Sequence, residues 1–157
     1  MSFTKRVPGG IRNVHRRTYN DIDRAWALGR RVHEPESGVW PVDGWPPMLL
    51  DHGLTPGSSG GHGPVRYRVA HVDDDRFRFE LTMPKIVGFH EFRLAGDTLE
   101  HVLQIERPSL VTRLAVIPLH DAILEELLDD IEDLLAGRTP PRPRERTLLV
   151  RVLKRFS

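Results

Sequence analysis

Residues 88–106, GFHEFRLAGDTLEHVLQIE, contain two strand-like runs joined by a tight turn. In each run, apolar residues or histidines alternate with charged or polar residues, which is the pattern of strands that bury one face. Gly96-Asp97 is typical of a two-residue hairpin loop that begins with glycine. This loop predicts a register in which the apolar faces match, through the pairs Leu94–Leu99, Phe92–His101 and His90–Leu103.

Two runs further upstream predict a second hairpin. Residues 65–72 (VRYRVAHV) and 76–82 (RFRFELT) alternate in the same way, and residues 73–75 form a three-residue acidic loop between them. Matching the apolar faces pairs His71 with Phe77 and Tyr67 with Leu81. A weaker strand is predicted over residues 11–18.

The last regular element before the basic C-terminal segment is an amphipathic helix over residues 118–135. One arc carries the apolar residues Ile123, Leu124, Leu127, Leu128, Ile131, Leu134 and Leu135. Seven acids fill the rest, and His120 lies within the apolar arc. An upstream extension over residues 110–117 would be kinked at Pro118.

A long loop precedes the first hairpin strand. Residues 35–64 contain thirteen of the chain's 26 glycines and prolines, together with Trp40, Trp45, Met48, Leu49 and Leu50. Long ordered loops are usually functional, and a solvated linker would not carry these apolar side chains. We therefore expect the loop to pack against the body of the protein. Before it, Asn20 or Asp21 can cap a short helix whose inward residues are Ile22, Trp26 and Val32.

An antiparallel sheet whose apolar face is covered by one long helix is an α+β arrangement. Four segments, in this order along the chain, resemble the SRPBCC (START/Bet v1-like) superfamily, and within it uncharacterised bacterial members near the polyketide cyclase/dehydrase group. They are VWPVDGWPPM, GGHGPVRYRV, the Gly-x-His at residues 88–90, and LHDAILEELLD. The resemblance spans residues 11–137. It implies a helix-grip fold, in which a curved antiparallel sheet wraps around a long C-terminal helix and encloses a ligand cavity.

The domain boundary is predicted from charge. Residues 138–157 carry seven basic residues against Glu145, a net charge of +6, and residues 1–137 carry −5, which together give the overall +1. We expect one SRPBCC-like domain over residues 1–137, followed by a basic Pro/Arg-rich extension over residues 138–157 that ends in a short amphipathic helix. Three fates are open for this tail: docking on the acidic helix, contact with an anionic membrane surface, or binding to a partner. Docking is favoured because the acids are nearby in the chain. Nucleic acid is not expected, since Phe156 alone could stack on a base.

Candidate site residues face the predicted space between sheet and helix. His90, His101 and His120 are placed there by their faces, and Tyr67 and His71 by the alternation of their strand. The histidines either complete the core through hydrogen bonds to neighbours, or orient a ligand, or transfer protons. The residues expected to line a ligand site are Trp40, Trp45, Tyr67, His90, Phe92, His101 and His120. The candidate catalytic groups are His90, His101 and His120.

Several chemistries are disfavoured. The chain has no cysteine, which excludes thiolate metal sites, cysteine nucleophiles and disulfides. Residues 57–63 (GSSGGHG) lack the lysine and the following helix of a phosphate-binding loop, although His62 could donate a hydrogen bond at a cavity rim. No histidine pair has the local spacing of a zinc site, so neither a metal nor a cofactor is expected.

Three functional hypotheses follow. The first is a protein that binds a small hydrophobic or amphipathic ligand in a sheet–helix cavity. The second is a polyketide cyclase/dehydrase-like enzyme that uses cavity histidines for proton transfer. The third is a non-catalytic interaction module that acts through its basic tail and has no cavity. The N-terminus has no apolar leader, so a cytoplasmic protein is expected, as a monomer or a homodimer.

Overall fold

The computed structural model describes residues 1–42 and 44–141. Eight strands and two α-helices form the described part of the chain: β1 (Ser2–Val7), β2 (Gly10–Thr18), α1 (Ile22–Gly29), β3 (Leu49–Leu50), β4 (Ser59–His62), β5 (Val65–Val72), β6 (Arg76–Leu81), β7 (Val87–Ala95), β8 (Thr98–Glu106) and α2 (Ile117–Leu135). The strands form one antiparallel sheet in the order β1-β2-β8-β7-β6-β5-β4-β3. Because α2 covers one face of this sheet, the fold is the α+β helix-grip arrangement that the sequence predicted.

The β7–β8 hairpin has the predicted register. Leu94 pairs with Leu99, Phe92 with His101, and His90 with Leu103. Gly96 has φ of +64°, a left-handed conformation that glycine adopts without steric cost and that a glycine-first turn requires. This register, which the local turn determines, puts His90, Phe92 and His101 on the same face of the sheet. That face lies toward α2, and we call it the inner face.

The β5–β6 hairpin differs from the prediction at one end. Tyr67 pairs with Leu81 as expected, but the register shifts between Val69 and His71, and His71 then lies opposite Arg78. This β-bulge adds one residue to β5 and takes His71 off the inner face. The His71 side chain is 44% exposed and contacts the Asp73 carboxylate. The prediction that His71 points toward the helix is therefore wrong.

Three short or exposed strands have no counterpart in the sequence-based assignment. β1 pairs with the predicted strand β2, whereas β3 and β4 arise within the long loop and extend the sheet beyond β5. A Cβ atom on Gly60 would collide with the carbonyl oxygen of Leu49, and one on Gly61 with that of Val65. The glycines at residues 60 and 61 thus allow β4 to lie close to both of its neighbouring strands.

Helix α2 contributes Ile123, Leu124, Leu127, Leu128 and Ile131 to the core, as its periodicity predicts. The helical path does continue upstream, through the π-helical turn Thr112–Val116. Pro118 then falls in the first turn of α2, where its missing N–H costs little.

Two of the seven helix acids are buried. Glu126 is 7% exposed and Asp130 is fully buried. The long loop explains part of this burial, because Nε1 of Trp45 donates to Glu126 at 3.1 Å. Other acids pair with β2: Arg17 donates to Glu125, Asp129 and Glu132 at 3.0, 2.8 and 3.1 Å.

The loop over residues 35–64 packs on the body, as its apolar content predicts. Trp40, Trp45 and Met48 are each at most 9% exposed. The N-cap of α1 is Asp21, whose side chain accepts from the Arg24 amide at 3.1 Å.

At the start of the basic C-terminal segment, Arg138 pairs with Asp133. Residues 142–157 lie outside the described residues, and so does the proposed docking of the tail. Among the residues that are described, no helix has the length and apolarity needed to cross a membrane.

Candidate functional site

A small cavity lies between the inner face of the sheet and α2. Its volume, taken as the space that the centre of a water molecule can reach, is about 30 Å³. One water needs about 10–15 Å³ on this measure, so the cavity has room for about two or three waters or for an ion. It is lined by Trp40, Met48, His62, Tyr67, Phe79, His90, Phe92, His101, His120, Ile123 and Leu124.

Six of the seven residues expected to line a ligand site border this cavity. They are Trp40, Tyr67, His90, Phe92, His101 and His120. Trp45 is not among the lining residues, because its ring is used to anchor the loop to Glu126 of α2. The sequence therefore does not distinguish the two loop tryptophans, although they have different roles in the structure.

Three histidines from three elements meet in the cavity. His90 lies on β7, His101 on β8 and His120 on α2, and their ring centroids are 5.0 to 5.4 Å apart. Nδ1 of His90 and Nε2 of His101 lie 3.4 Å apart, at the long end of hydrogen-bonding distance. His101 and His120 are buried, and His90 is partly buried. The hairpin register brings the first two together, and the helix supplies the third.

Asn13 of β2 fixes the orientation of the His120 ring. Its Nδ2 donates to Asp121 at 2.8 Å and to Thr4 at 2.9 Å, so its Oδ1 faces the other way and accepts. Oδ1 lies 2.8 Å from Nδ1 of His120, which must therefore carry the proton. In the neutral ring, Nε2 is then an unprotonated acceptor.

His15 connects this arrangement to acids on α2. Its Nδ1 lies 2.7 Å from Glu125 Oε1, and its Nε2 lies 2.9 Å from Asp121 Oδ1 and 3.1 Å from Asn13 Oδ1. Both ring nitrogens face oxygen atoms of neighbouring side chains, so the nitrogen that carries the proton donates to one of them. The side chain of His15 is fully buried, whereas the two carboxylates are more than a third exposed. A chain of polar contacts thus runs from the surface, through His15 and Asn13, to His120.

A second polar pair, His62 and Tyr67, also lines the cavity. Nδ1 of His62 is 3.2 Å from the Tyr67 hydroxyl, and the His62 ring is 5.1 Å from that of Trp40. Tyr67 also lies against His90, with 6.3 Å between ring centroids. His62, which was expected at the rim of the cavity, is one of its lining residues.

Burial keeps the cavity histidines neutral. It lowers the pKa of His90 to about 3, with a smaller effect from the neighbouring His62, and that of His62 to about 4, with a smaller effect from the Arg66 guanidinium. Burial likewise holds the pKa values of His101 and His120 well below their usual range, and the neighbouring histidines add to this effect. The cause is that an apolar environment disfavours the charged ring. At neutral pH these rings are therefore uncharged and act as hydrogen-bonding groups.

Two of these rings have a nitrogen that is buried without a hydrogen-bond partner in the described part of the chain. They are Nδ1 of His101 and Nε2 of His120; the third such atom, Nδ1 of His33, lies outside the cavity. Buried polar atoms without partners are rare, and each costs about 1–3 kcal/mol. Two in a single small cavity indicate a place where another molecule or ion supplies the partner.

Sequence reasoning missed Asn13 and His15 as parts of this network. The run Ile11, Asn13, His15 and Arg17 does alternate on one face, and pairing β2 with β8 places His15 directly opposite His101. That signal becomes usable once the strand pairing is known. Met48, Phe79, Ile123 and Leu124 line the cavity as ordinary apolar residues, which sequence cannot distinguish from other core residues.

Comparisons with known proteins agree on the fold. No protein-family model and no curated protein matches the chain. Its structure is similar to that of CalU16 from Micromonospora echinospora, at 16% identity and TM-score 0.56 over 99% of this chain and 90% of that one. A protein from Arthrobacter aurescens has 12% identity and TM-score 0.59, over 92% of this chain and 98% of that one.

A third similar structure is DynU16, a protein of the dynemicin biosynthetic locus. It has 16% identity and TM-score 0.53, over 84% of this chain and 49% of that one. At such identities the likeness establishes a shared fold, and a shared fold does not select a function.

Proposed function

We propose that this chain is a member of the SRPBCC superfamily and binds a small, mostly apolar ligand with a hydrogen-bonding group in the cavity between the sheet and α2. The observation that carries this proposal is the pair of buried nitrogens, Nδ1 of His101 and Nε2 of His120, that lack partners in the described residues. They lie among apolar walls such as Phe79, Phe92 and Leu124. Apolar walls with a few polar groups are typical of small-molecule sites.

The polar end of the ligand follows from the protonation of the cavity. Nε2 of His120 is an acceptor, because Asn13 holds the proton on Nδ1. A ligand hydroxyl or amide N–H would donate to it. A ligand carboxylate is disfavoured here, since the surrounding histidines are neutral and offer no compensating charge.

The size of the ligand depends on the loop. A cavity of about 30 Å³ is far smaller than the roughly 300–1,000 Å³ of drug-sized sites, so a larger ligand must displace side chains. Trp40 and Met48 belong to the loop and form the cavity wall on that side. We propose that their movement opens the site. DynU16 is encoded in a biosynthetic locus, which supports a ligand from such a pathway.

Native mass spectrometry of the chain purified from its own organism tests this proposal directly. A small molecule that co-purifies in a one-to-one complex is expected, and it should be lost in Leu124→Trp, which fills the cavity. Val87→Trp is the matched control, because Val87 is 60% exposed and outside the cavity. Equal retention by both variants would contradict binding at this site.

A second candidate function is proton transfer to or from such a ligand by His90, His101 or His120. The oriented Nε2 of His120 favours it, since a general base needs an unprotonated nitrogen that faces the substrate. The low pKa values caused by burial weigh against it, because an efficient base has a pKa near the working pH. Turnover that is lost in His120→Gln while ligand binding and the fold persist would establish this function over simple binding.

A further inference from the structure

We propose that His90, His101 and His120 bind one divalent transition-metal ion, of the kind for which Zn²⁺ is the simplest probe. The metal and the ligand proposed above would both use Nε2 of His120, so they compete for this nitrogen and are tested by separate experiments. The three rings each offer one nitrogen, and these nitrogens all lie within 4.8 Å of one another. No residue outside the three is needed to complete the set of protein ligands.

The spacing of the first two histidines fits tetrahedral coordination. Zinc–nitrogen bonds are about 2.0–2.1 Å long, so two nitrogens on a tetrahedral ion are roughly 3.3–3.4 Å apart. Nδ1 of His90 and Nε2 of His101 lie 3.4 Å apart. That distance is long for a hydrogen bond and matches the edge of a tetrahedron. The nitrogen that His120 offers lies within 4.8 Å of those of the other two rings.

The third ligand already has a free lone pair. Asn13 accepts from Nδ1 of His120, and this contact leaves Nε2 unprotonated, buried and without a partner among the described residues. A second hydrogen bond on the far ring nitrogen is the usual support of metal-bound histidines, because it fixes both tautomer and orientation. Asn13 is itself 1% exposed and held by Thr4 and Asp121.

The donor set determines the class of metal. Three neutral imidazoles suit zinc, copper, iron or nickel, whereas magnesium and calcium prefer oxygen ligands. Three histidines with a vacant fourth position are the donor set of catalytic zinc sites, and here that position opens into the cavity. About 30 Å³ accommodates an ion and little more. The spacing of histidines along the sequence does not predict this site, because the three histidines come from two strands and a helix.

A competing cluster is less suitable. His15, His120 and Asp121 also bring donor atoms within 4.8 Å of one another. Both nitrogens of His15, however, already lie 2.7 to 3.1 Å from carboxylate or amide oxygens. A metal there would have to break several contacts that the first cluster leaves intact.

The test uses the full-length chain, stripped of metal with a chelator and titrated with Zn²⁺ in competition with a chromophoric chelator. One equivalent per chain is expected to bind. His90→Ala and His120→Ala should each weaken binding at least about 100-fold, and Asn13→Ala about 10–100-fold, which is the usual cost of removing such a support. His52→Gln, which changes an exposed histidine outside the cavity, should change binding less than about threefold.

Absence of stoichiometric binding would overturn the proposal, and so would binding that survives His90→Ala but is lost in Asp121→Asn. Cobalt(II) provides a readout that needs no variant. The unaltered chain should give the intense visible absorption of a tetrahedral site, and the weak spectrum of octahedral cobalt would contradict the proposed geometry. Because native mass spectrometry distinguishes an organic ligand from a metal ion by mass, failure of the metal proposal leaves the ligand proposal separately testable.

Discussion

The carboxamide oxygen of Asn13 lies 2.8 Å from Nδ1 of His120 and joins the second strand of the sheet to the helix that covers it. The same oxygen lies 3.1 Å from Nε2 of His15. One amide therefore orients two buried histidines, one of which faces the cavity and the other the acids of α2. The cavity chemistry depends on this single side chain.

Replacing Asn13 by leucine, which has a similar volume, should destabilise the fold by about 2–4 kcal/mol. The change leaves buried hydrogen-bonding groups of His15 and His120 without their partner, and each such loss costs about 1–3 kcal/mol. Urea unfolding followed by circular dichroism measures the difference. Thr4→Val removes an exposed partner of the same amide and should cost less than about 0.5 kcal/mol. Equal losses in the two variants would contradict a central role for Asn13.

Stability should fall as the pH drops below 6.5. Burial lowers the folded-state pKa of His62 to about 4 and that of His90 to about 3, whereas unfolded histidine titrates near 6.5. Between these values the unfolded chain binds protons that the folded chain does not. Each such histidine therefore removes up to about 1.4 kcal/mol of stability per pH unit, until the folded-state pKa is reached.

The variant His62→Gln removes the contribution of one histidine to this pH dependence of stability. Between pH 6.5 and 5 it should lose about 1.5 kcal/mol less stability than the unaltered chain. The carboxylate Glu125, whose pKa is lowered by its contacts with His15 and Arg17 despite partial burial, acts below this window. Urea unfolding at each pH, with chelator present, gives the slopes. His52→Gln changes an exposed ring and should leave the slope unaltered, so parallel curves for His62→Gln would contradict the assignment.

Replacing Arg93, which lies on the outer face of the sheet, should destabilise the fold more than replacing a charged residue at the surface. It contacts Glu100, which is 1% exposed, and lies 3.8 Å from Glu91, which is 3% exposed. In Arg93→Leu, Arg16 is the remaining ion-pair partner of Glu100 among the described residues, so we expect a loss of about 2 kcal/mol from the partly uncompensated buried charge.

Arg138→Leu is the matched control for Arg93. It removes a 2.7 Å pair with Asp133 at the surface, where such pairs contribute about 0–1 kcal/mol. Thermal and urea unfolding compare the two variants. A larger effect at Arg138 would mean that the buried glutamates are stabilised by other groups.

The parts of the site that sequence predicts are those that depend on local chemistry. The Gly96-Asp97 turn fixes the register that brings His90 beside His101, and helical periodicity places His120 over them. The bulge that turns His71 away inserts an extra residue without a glycine or proline to mark it. Its position depends on how β5 accommodates its partner strand, which is a property of the assembled sheet.

Long-range pairing accounts for the rest of what the sequence does not reveal. His15 enters the network because β2 lies next to β8, although 86 residues separate His15 from His101. The charge pattern suggested that the acidic helix is matched by the basic tail. In the structure, Arg17 of β2 already contacts three of those acids. A charge sum along the chain cannot identify partners that the sheet brings together.

The two loop tryptophans should respond differently to substitution, because one lines the cavity and the other does not. Trp40 borders the cavity beside His62, and Trp40→Ala should enlarge the cavity at a cost of about 3–5 kcal/mol. The enlarged cavity should bind the uncharged apolar dye Nile red more strongly. Trp45→Phe removes the hydrogen bond to Glu126 and should cost about 1–2 kcal/mol while dye binding stays unchanged.

Dye fluorescence and urea unfolding measured on the same samples separate cavity opening from general loosening. Leu114→Ser controls for dye that binds to exposed apolar side chains, since Leu114 is 62% exposed. If Trp45→Phe raised dye binding as much as Trp40→Ala, the loop would act as one unit. The assignment of Trp40 as the movable wall of the site would then be wrong. If Trp40→Ala alone raises it, the loop admits a ligand by moving one ring while Trp45 stays anchored to α2.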